Sequence, residues 1–593
     1  MQANPSHFDD LDIFIGLGYA EKKALAGRFD YRLVRGGERL IGQGDLANHL
    51  HIVLSGRFAV AREGGPPIAI IARGEPVGEI AFFNGGTRTA NVTALRDSEV
   101  LSIARSDFDD LANAEPMLWR STVMALANRL VETTDLHGSD LKEAPPPRTL
   151  ILCPAGDAPV SQDFAFELVR AMEELGTKAA LLDENTARSG SGGAALNSPE
   201  MNRWLAVQEA AHDLVVWFAP NEATEWAEKA IRQADAALLV GAENPSSLGP
   251  IEKLVFERLA PSDIRLATLN ERTSEWLSHR TIAGHQRAKT EAQVAALARF
   301  LCGRARGLVL GGGGALCGAQ VALVFAMREA GLDFDSFAGT SAGAAVAAAL
   351  AMNLDRAEII SSVKDIFMTN KALKRWTVPK FGFIDPTIVD RMLKQHYGTG
   401  MLEDLPNPFF AIATDLADNA EHVMERGPLW EAIRASCSVP ILLPPMIDSE
   451  GRILVDGGIT NNLPVDPMRR RKRGPNAAIM LGQSRWRRAE YRYDDYPSRG
   501  ELLREKISFR KRGRLKAPRI GQILTRSMLL ASDAASADAL TRTEAVFIPP
   551  LPKGMGITDW HRFEALERDS YDWAQREIER RLNDDPSAFD LFR

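Results

Sequence analysis

From residue 31 the apolar positions come in short runs broken by glycine. YRLVRGGERLIGQGD, HLHIVLSGRFAVAR and IAIIARGEPVGEIAFF alternate apolar and polar positions over a few residues before each turn. That rhythm predicts short antiparallel strands of a small β-barrel. SDFDDLANAEPMLWRSTVMALANRLVETT then changes to a helical period. Residues 8–134 are read as one domain and 135–148, with prolines at 145–147, as a linker. Beyond it the pattern changes again. TLILCPAG, KAALLDE, DLVVWFAP and DAALLVGAE are compact apolar runs separated by amphipathic segments such as SQDFAFELVRAMEELG. Apolar runs without alternation predict strands buried on both faces, so residues 149–300 are expected to form an α/β domain with a largely parallel sheet.

The pattern at 304–470 adds glycine-rich turns. RGLVLGGGGALCGAQVALVFAMREAG reads as strand, turn and helix, and FDSFAGTSAGAAVAAALAM repeats the order. FFAIATDL and GRILVDGG are further strands. A central, mostly parallel sheet is expected here. Residues 471–593 are read as an extension packed on this domain, partly helical and ending in HRFEALERDSYDWAQREIERRL.

Composition narrows the function classes. The chain of 593 residues carries 71 basic and 78 acidic side chains, a formal net charge of −7, and this balance argues against a nucleic-acid partner. Four cysteines, at 153, 302, 317 and 437, have neither metal-site spacing nor disulfide density, and point to a reducing compartment. No apolar run reaches 18 residues and the start is polar, so the expectation is a cytoplasmic protein, with peripheral contact to the inner face of a membrane left open. The basic runs 469–473 and 510–514 are the sequence's candidates for such contact, with solvated loops as the alternative.

The chemistry concentrates in three short stretches. GTSAG puts Ser341 at a sharp strand-to-helix bend, with Gly339 and Gly343 relieving the crowding there. Gly311, Gly312, Gly313 and Gly314 follow the strand GLVL and can turn N–H groups toward an anion. The spacing fits neither a Walker loop nor a dinucleotide fingerprint, since Leu316 and Cys317 stand where the latter needs a third glycine. Asp456, in DGG after the strand RILV, is a candidate proton acceptor for Ser341; an Asx turn is the other reading. His396 and His422 have no local context that singles them out as bases.

With these motifs in this order, the chain resembles the patatin-like phospholipase family, and specifically the bacterial proteins similar to neuropathy target esterase. GGGGALCG, GTSAG, IRASCSVPILLPPM, DGG and ITNNLPVD carry the likeness. The resemblance implies a serine esterase in which Ser341 attacks the acyl carbonyl of a lipid, a phospholipid or lysophospholipid, Asp456 is the base, and Gly311–Gly314 hold the oxyanion. It implies neither metal nor catalytic cofactor. One departure is visible. The family places a basic residue and a glycine after the glycine loop, where this chain has Leu316 and Cys317. A weakened or non-catalytic nucleotide-sensing scaffold is therefore the competing expectation. The first domain resembles cyclic nucleotide-binding domains, with VGEIAFFNGGTRTANV as the phosphate cassette. In that resemblance Glu79 accepts from the ribose, Arg88 pairs with the cyclic phosphate of cAMP or cGMP, and Gly78, Thr89 and Ala90 line the ligand. A retained fold that no longer binds, with Glu79 and Arg88 as a surface bridge, is the alternative. Oligomeric state is not legible.

Overall fold

The computed structural model describes residues 3–8, 19–63, 67–71, 74–114, 147–242, 244–482, 498 and 520–593. Most of the expected linker at 135–148 and the basic run 510–514 lie outside the described residues. The chain divides into two compact units, Met1–Gly303 and Arg304–Arg593.

The first unit opens with eight short strands, numbered in chain order. β1 (Asp30–Val34), β3 (His49–Ser55), β6 (Pro76–Val77) and β8 (Ser98–Ala104) pair in the order β1-β8-β3-β6. β2 (Arg39–Ile41), β4 (Phe58–Ala61), β5 (Pro67–Ile71) and β7 (Asn91–Ala94) pair in the order β2-β7-β4-β5. Val34, Val53, Val77 and Val100 of one sheet share a buried cluster with Ile41, Phe58 and Val92 of the other. The expected barrel is thus seen as two antiparallel sheets face to face, and the described ladders do not join them into a closed ring.

Six further strands, β9 (Thr149–Pro154), β10 (Ala179–Leu182), β11 (Leu214–Phe218), β12 (Ala236–Gly241), β13 (Ile264–Thr268) and β14 (Gly284–Arg287), form a sheet in the order β10-β11-β9-β12-β13-β14. Every ladder is parallel. All six residues of β9 are buried, and one apolar cluster covers each face, which is why these strands read as unbroken apolar runs. The turn after β9 holds a carboxylate of the chain itself: Glu252 accepts from the N–H groups of Gly156 and Gly249 at 2.9 and 3.1 Å and pairs with Arg280 at 2.5 Å, fully buried. Buried ion pairs join this sheet to the preceding ones, Asp97 meeting Lys229 at 3.1 Å and Arg232 at 3.2 Å, and Arg96 meeting Glu209 at 2.6 Å.

The second unit is built on an eight-stranded sheet. β15 (Gly307–Leu310), β16 (Ser336–Thr340), β17 (Phe409–Asp415), β18 (Ala420–Met424), β19 (Met446–Ile447), β20 (Ile453–Asp456), β21 (Asn476–Ile479) and β22 (Ala545–Phe547) run in the order β19-β20-β17-β16-β15-β21-β22, with β18 also on β17. The ladders from β17 through β16, β15 and β21 to β22 are parallel; β18, β19 and β20 add antiparallel ones. Two strands, β21 and β22, lie beyond residue 470, so the C-terminal stretch extends the sheet as well as covering it. Helix Phe563–Asp584 packs by Phe563, Ala574 and Ile578 into the same core as Val321, Val324 and Met327 of helix Gly318–Glu329. Among the described residues no helix is long and apolar enough to cross a membrane.

Candidate active site

β15 and β16 are neighbours in parallel register, Leu310 opposite Gly339. The glycine loop and Ser341 therefore leave the sheet side by side at its carboxyl edge, where open α/β sheets form their crevices. Ser341 has φ 55° and ψ −129°, left-handed backbone that a side chain tolerates at a cost of about 1–3 kcal/mol. Packing enforces the bend. A β-carbon on Gly339 would lie 2.4 Å from the Gly343 carbonyl, and one on Gly343 would lie 2.5 Å from the Leu310 carbonyl oxygen. Only glycine lets helix Ala342–Ala351 start so close to the strands.

Asp456 ends β20, opposite Ala413 of β17. The Ser341 hydroxyl donates to Asp456 Oδ2 at 2.7 Å. The other oxygen, Oδ1, accepts from the Gly458 N–H at 2.8 Å. With only 7% of its surface exposed, Asp456 loses most of its hydration, and its pKa is pushed up to about 6 although both hydrogen bonds oppose the rise. A carboxylate with that pKa is ionised at neutral pH yet still basic enough to take a proton.

The four glycines differ in what their amides do. Gly311 N–H donates to Ile479 O at 3.1 Å, and Gly312 N–H donates to Asn462 Oδ1 at 3.2 Å. The N–H groups of Gly313 and Gly314 have no hydrogen-bond partner among the described residues. Leu316 packs with Ala319, Leu481 and Leu566, and no cation takes the family's basic position in this sequence. Cys317 is buried and its thiol is pushed up to about 12 by loss of solvent, as suits a packing residue.

Three supporting residues were not singled out by sequence. Ser436 accepts the Ser341 N–H at 2.9 Å and donates to Ile412 O at 2.6 Å. Asn462 holds Gly312, and the Ser438 carbonyl accepts the Asp456 N–H at 3.0 Å. Their only signal was membership of IRASCSVP and ITNNLPVD. His396 sits on Asp365 at 3.0 Å, and neither it nor His422 is hydrogen-bonded to Ser341 or Asp456. The basic run 469–473 is engaged within the protein. Arg470 meets Glu421 at 3.0 Å, Arg471 meets Glu425 at 2.5 Å, and Lys472 is 3% exposed with its ammonium on backbone carbonyls. Among the described residues no group of histidine, cysteine and carboxylate side chains is arranged to hold a metal ion.

In the first unit, Glu79 and Arg88 are both buried, 3% and 5% exposed, so they are not a surface bridge. Arg88 donates to Gly78 O at 2.5 Å and to the His49 carbonyl. Gly78 has φ 78° and leaves no room for a β-carbon beside the guanidinium. Thr89 is exposed and Ala90 buried.

Comparison with known proteins agrees with the order of these parts. Residues 31–115 match the model of the cyclic nucleotide-binding domain, 148–299 that of the neuropathy target esterase family P-loop like domain, and 308–469 that of patatin-like phospholipase. An uncharacterized NTE family protein of Mycobacterium tuberculosis is 29% identical over 571 residues, covering 91% of this chain and 90% of that protein. Patatin-like phospholipase domain-containing protein 7 of Rattus norvegicus is 28% identical over 79% of this chain, which spans 40% of it. Among solved structures, the Thermus thermophilus catabolite activator protein matches 27% of this chain and 66% of its own at 27% identity, with a TM-score of 0.20. The chain thus carries a cyclic nucleotide-binding domain, a neuropathy target esterase family P-loop like domain and a patatin-like phospholipase domain in that order, and is similar over most of its length to a bacterial NTE family protein.

Proposed function

We propose that the second unit is a serine lipid esterase that hydrolyses acyl ester bonds of phospholipids or lysophospholipids, and that the first unit carries a cyclic-nucleotide-responsive domain. The 2.7 Å hydrogen bond from Ser341 to a buried, raised-pKa Asp456 is the observation that carries this reading. In the first step the Ser341 proton passes to Asp456 as Oγ attacks the acyl carbonyl carbon. Negative charge gathers on the former carbonyl oxygen, within the reach expected of the Gly313 and Gly314 N–H groups and the start of helix Ala342–Ala351. The tetrahedral centre collapses, the C–O bond to the glycerol oxygen breaks, and Asp456 returns the proton to that leaving oxygen. Water then attacks the acyl-serine, giving its proton to Asp456. The fatty acid leaves as the proton returns to Ser341.

The test is a panel of lysophospholipid, diacyl phospholipid and neutral ester, run on wild type and Ser341→Ala, with a fluorophosphonate probe followed by peptide mass spectrometry. Fatty acid release by wild type, its loss in the variant, and a single adduct on Ser341 are expected. Turnover that survives Ser341→Ala, or an adduct elsewhere, removes Ser341 from the chemistry. A labelled, folded protein that turns over none of the panel leaves the scaffold reading in its place.

A further inference from the structure

Residues 375–385 of the second unit turn back on themselves as a small antiparallel hairpin. Trp376 bridges Ile384, Thr377 N–H donates to Phe383 O at 2.9 Å, and Asp385 N–H donates to Arg375 O at 2.9 Å. Ile384 anchors the hairpin, being 3% exposed and part of the main core. Much of the remaining hairpin is apolar and open. Trp376 is 72% exposed, Val378 82% and Phe381 69%, and the Trp376 and Phe383 rings meet edge-on at 5.9 Å in this half-open layer. Lys371, Lys374, Arg375 and Lys380 are exposed around it. Among the described residues the three lysines have no ion-pair partner, and the one carboxylate near Arg375, that of Asp385, lies 3.9 Å away.

This arrangement is continuous with the candidate active site. Phe383 and Ile384 donate their N–H groups to Ile441 O and Leu442 O at 2.8 and 2.9 Å. Gly382 is pressed against Pro444, where a β-carbon would lie 2.8 Å from the proline nitrogen. Ile441, itself 43% exposed, holds φ 74°, costly backbone for a β-branched residue. The same loop supplies the Ser438 carbonyl that accepts the Asp456 N–H. The exposed hairpin and the proton acceptor therefore brace one loop from its two ends.

We propose that this hairpin is the surface by which the second unit docks on an anionic lipid bilayer, with its aromatic side chains entering the interface and its lysines meeting the headgroups. Water strongly disfavours large apolar side chains held together in this way, and a cluster of them marks a contact surface. Tryptophan and phenylalanine ringed by lysine suit a membrane boundary, where rings bury among acyl chains and ammonium groups stay at the charged level. The run 469–473, by contrast, is engaged with Glu421, Glu425 and backbone carbonyls. The inference rests on the lipid reading for its purpose, but binding can be measured without turnover.

The experiment is vesicle flotation of the full-length Ser341→Ala chain. The vesicles are phosphatidylcholine alone or with about 30% phosphatidylglycerol, at low and high salt. The chain is expected to float with the anionic vesicles and to bind them more weakly at high salt. Trp376→Ser with Phe381→Ser should weaken partition by more than about tenfold, and Val378→Asp, at the most exposed position and harmless to packing, should do so by roughly tenfold. Lys374→Glu with Lys380→Glu should remove most of the salt dependence. Variants that melt like the parent and float like it overturn the proposal, as does a parent that binds neither vesicle. So does a Trp376→Ser/Phe381→Ser chain whose sedimentation falls from dimer to monomer, because the patch then belongs to a second copy. Docking by a protein that hydrolyses nothing keeps this inference and removes the esterase reading.

Discussion

Replacing Asp456 by asparagine keeps the shape of the side chain and removes its charge, so it separates catalysis from folding. The carboxylate now accepts from Ser341 at 2.7 Å and from Gly458 N–H at 2.8 Å. An amide can still accept from Gly458 through Oδ1, but its NH2 then faces the serine and donates to Oγ. The proton of Ser341 loses its acceptor, and kcat should fall by roughly 10²–10⁴, the usual share of a general base. Wild-type turnover needs the ionised carboxylate, so it should rise with pH about a midpoint near 6. Stability should move the other way. The folded pKa, about 6, lies above the ordinary aspartate value of 3.8, so the folded state keeps its proton over a range where the unfolded chain has lost it. Stability is therefore full below the unfolded pKa, declines as pH rises through this window, and is flat above it. At about 1.4 kcal/mol per tenfold change, the loss amounts to about 3 kcal/mol. Asparagine is neutral throughout, so the variant should melt about 5–10 °C above wild type at pH 7 and close to it at pH 4. Fatty acid release and thermal melts across pH 4–8, on both proteins, make the comparison. A folded Asn variant with near wild-type kcat would refute the base assignment. Equal melting temperatures at pH 7 would refute the claim that burial holds the carboxyl above its ordinary range.

Two further outcomes follow from close packing and from the nucleotide cassette. Gly312→Ala should abolish turnover in a chain that still folds, because its β-carbon would lie 2.6 Å from Asn462 Oδ1 and 3.1 Å from Ser341 Cβ; normal kcat in this variant would show that the loop can yield without disturbing the serine. Arg88→Ala in the full chain should weaken cAMP or cGMP binding, measured by isothermal titration, by more than roughly tenfold, because a buried phosphate loses its bidentate partner; unchanged affinity would mean that Arg88 serves only to tie Gly78 and His49 together.

Much of the candidate site was legible because it depends on local geometry. GTSAG between a strand and an alanine-rich helix demands a bend, and Ser341 takes it at φ 55°. DGG after RILV places an acidic residue at a strand end, and Asp456 is there. The residues that hold these two in position were not legible. Ser436 reaches Ser341 across 95 residues of sequence, and Asn462 reaches Gly312 across 150. No periodicity records such contacts. The strands β21 and β22 escaped notice for another reason: they are four and three residues long, and NAAI is buried throughout, so no alternation marks it. The first domain's short-strand rhythm could not say whether its strands close into one barrel or pair as two sheets, since both have the same inward and outward alternation.

Runs of charge and of apolar residues say little when sequence rules treat them one residue at a time. RRRKR looks like a headgroup contact because five cations are consecutive, but on the first turns after Val465 they point in different directions and find separate partners: Glu421 for Arg470, Glu425 for Arg471, carbonyls for Lys472. In KALKRWTVPKFGFI, aromatic and basic residues are interleaved, and no periodicity there says which of them are buried. Trp376 pairs with Ile384 across the hairpin, yet Ile384 is buried in the core while Trp376 is 72% exposed and Phe383 38%. Placing the same apolar residues on either face would satisfy the strand pattern. What decides is the anchoring of the hairpin by the Ile441 and Leu442 carbonyls, which holds it in place with Trp376, Val378 and Phe381 exposed. An enzyme whose substrate lies in a bilayer gains from such a face, because water repels it and a lipid interface accepts it. The bracing of one loop by both the hairpin and Asp456 then brings the bilayer contact and the proton acceptor into a single structural element.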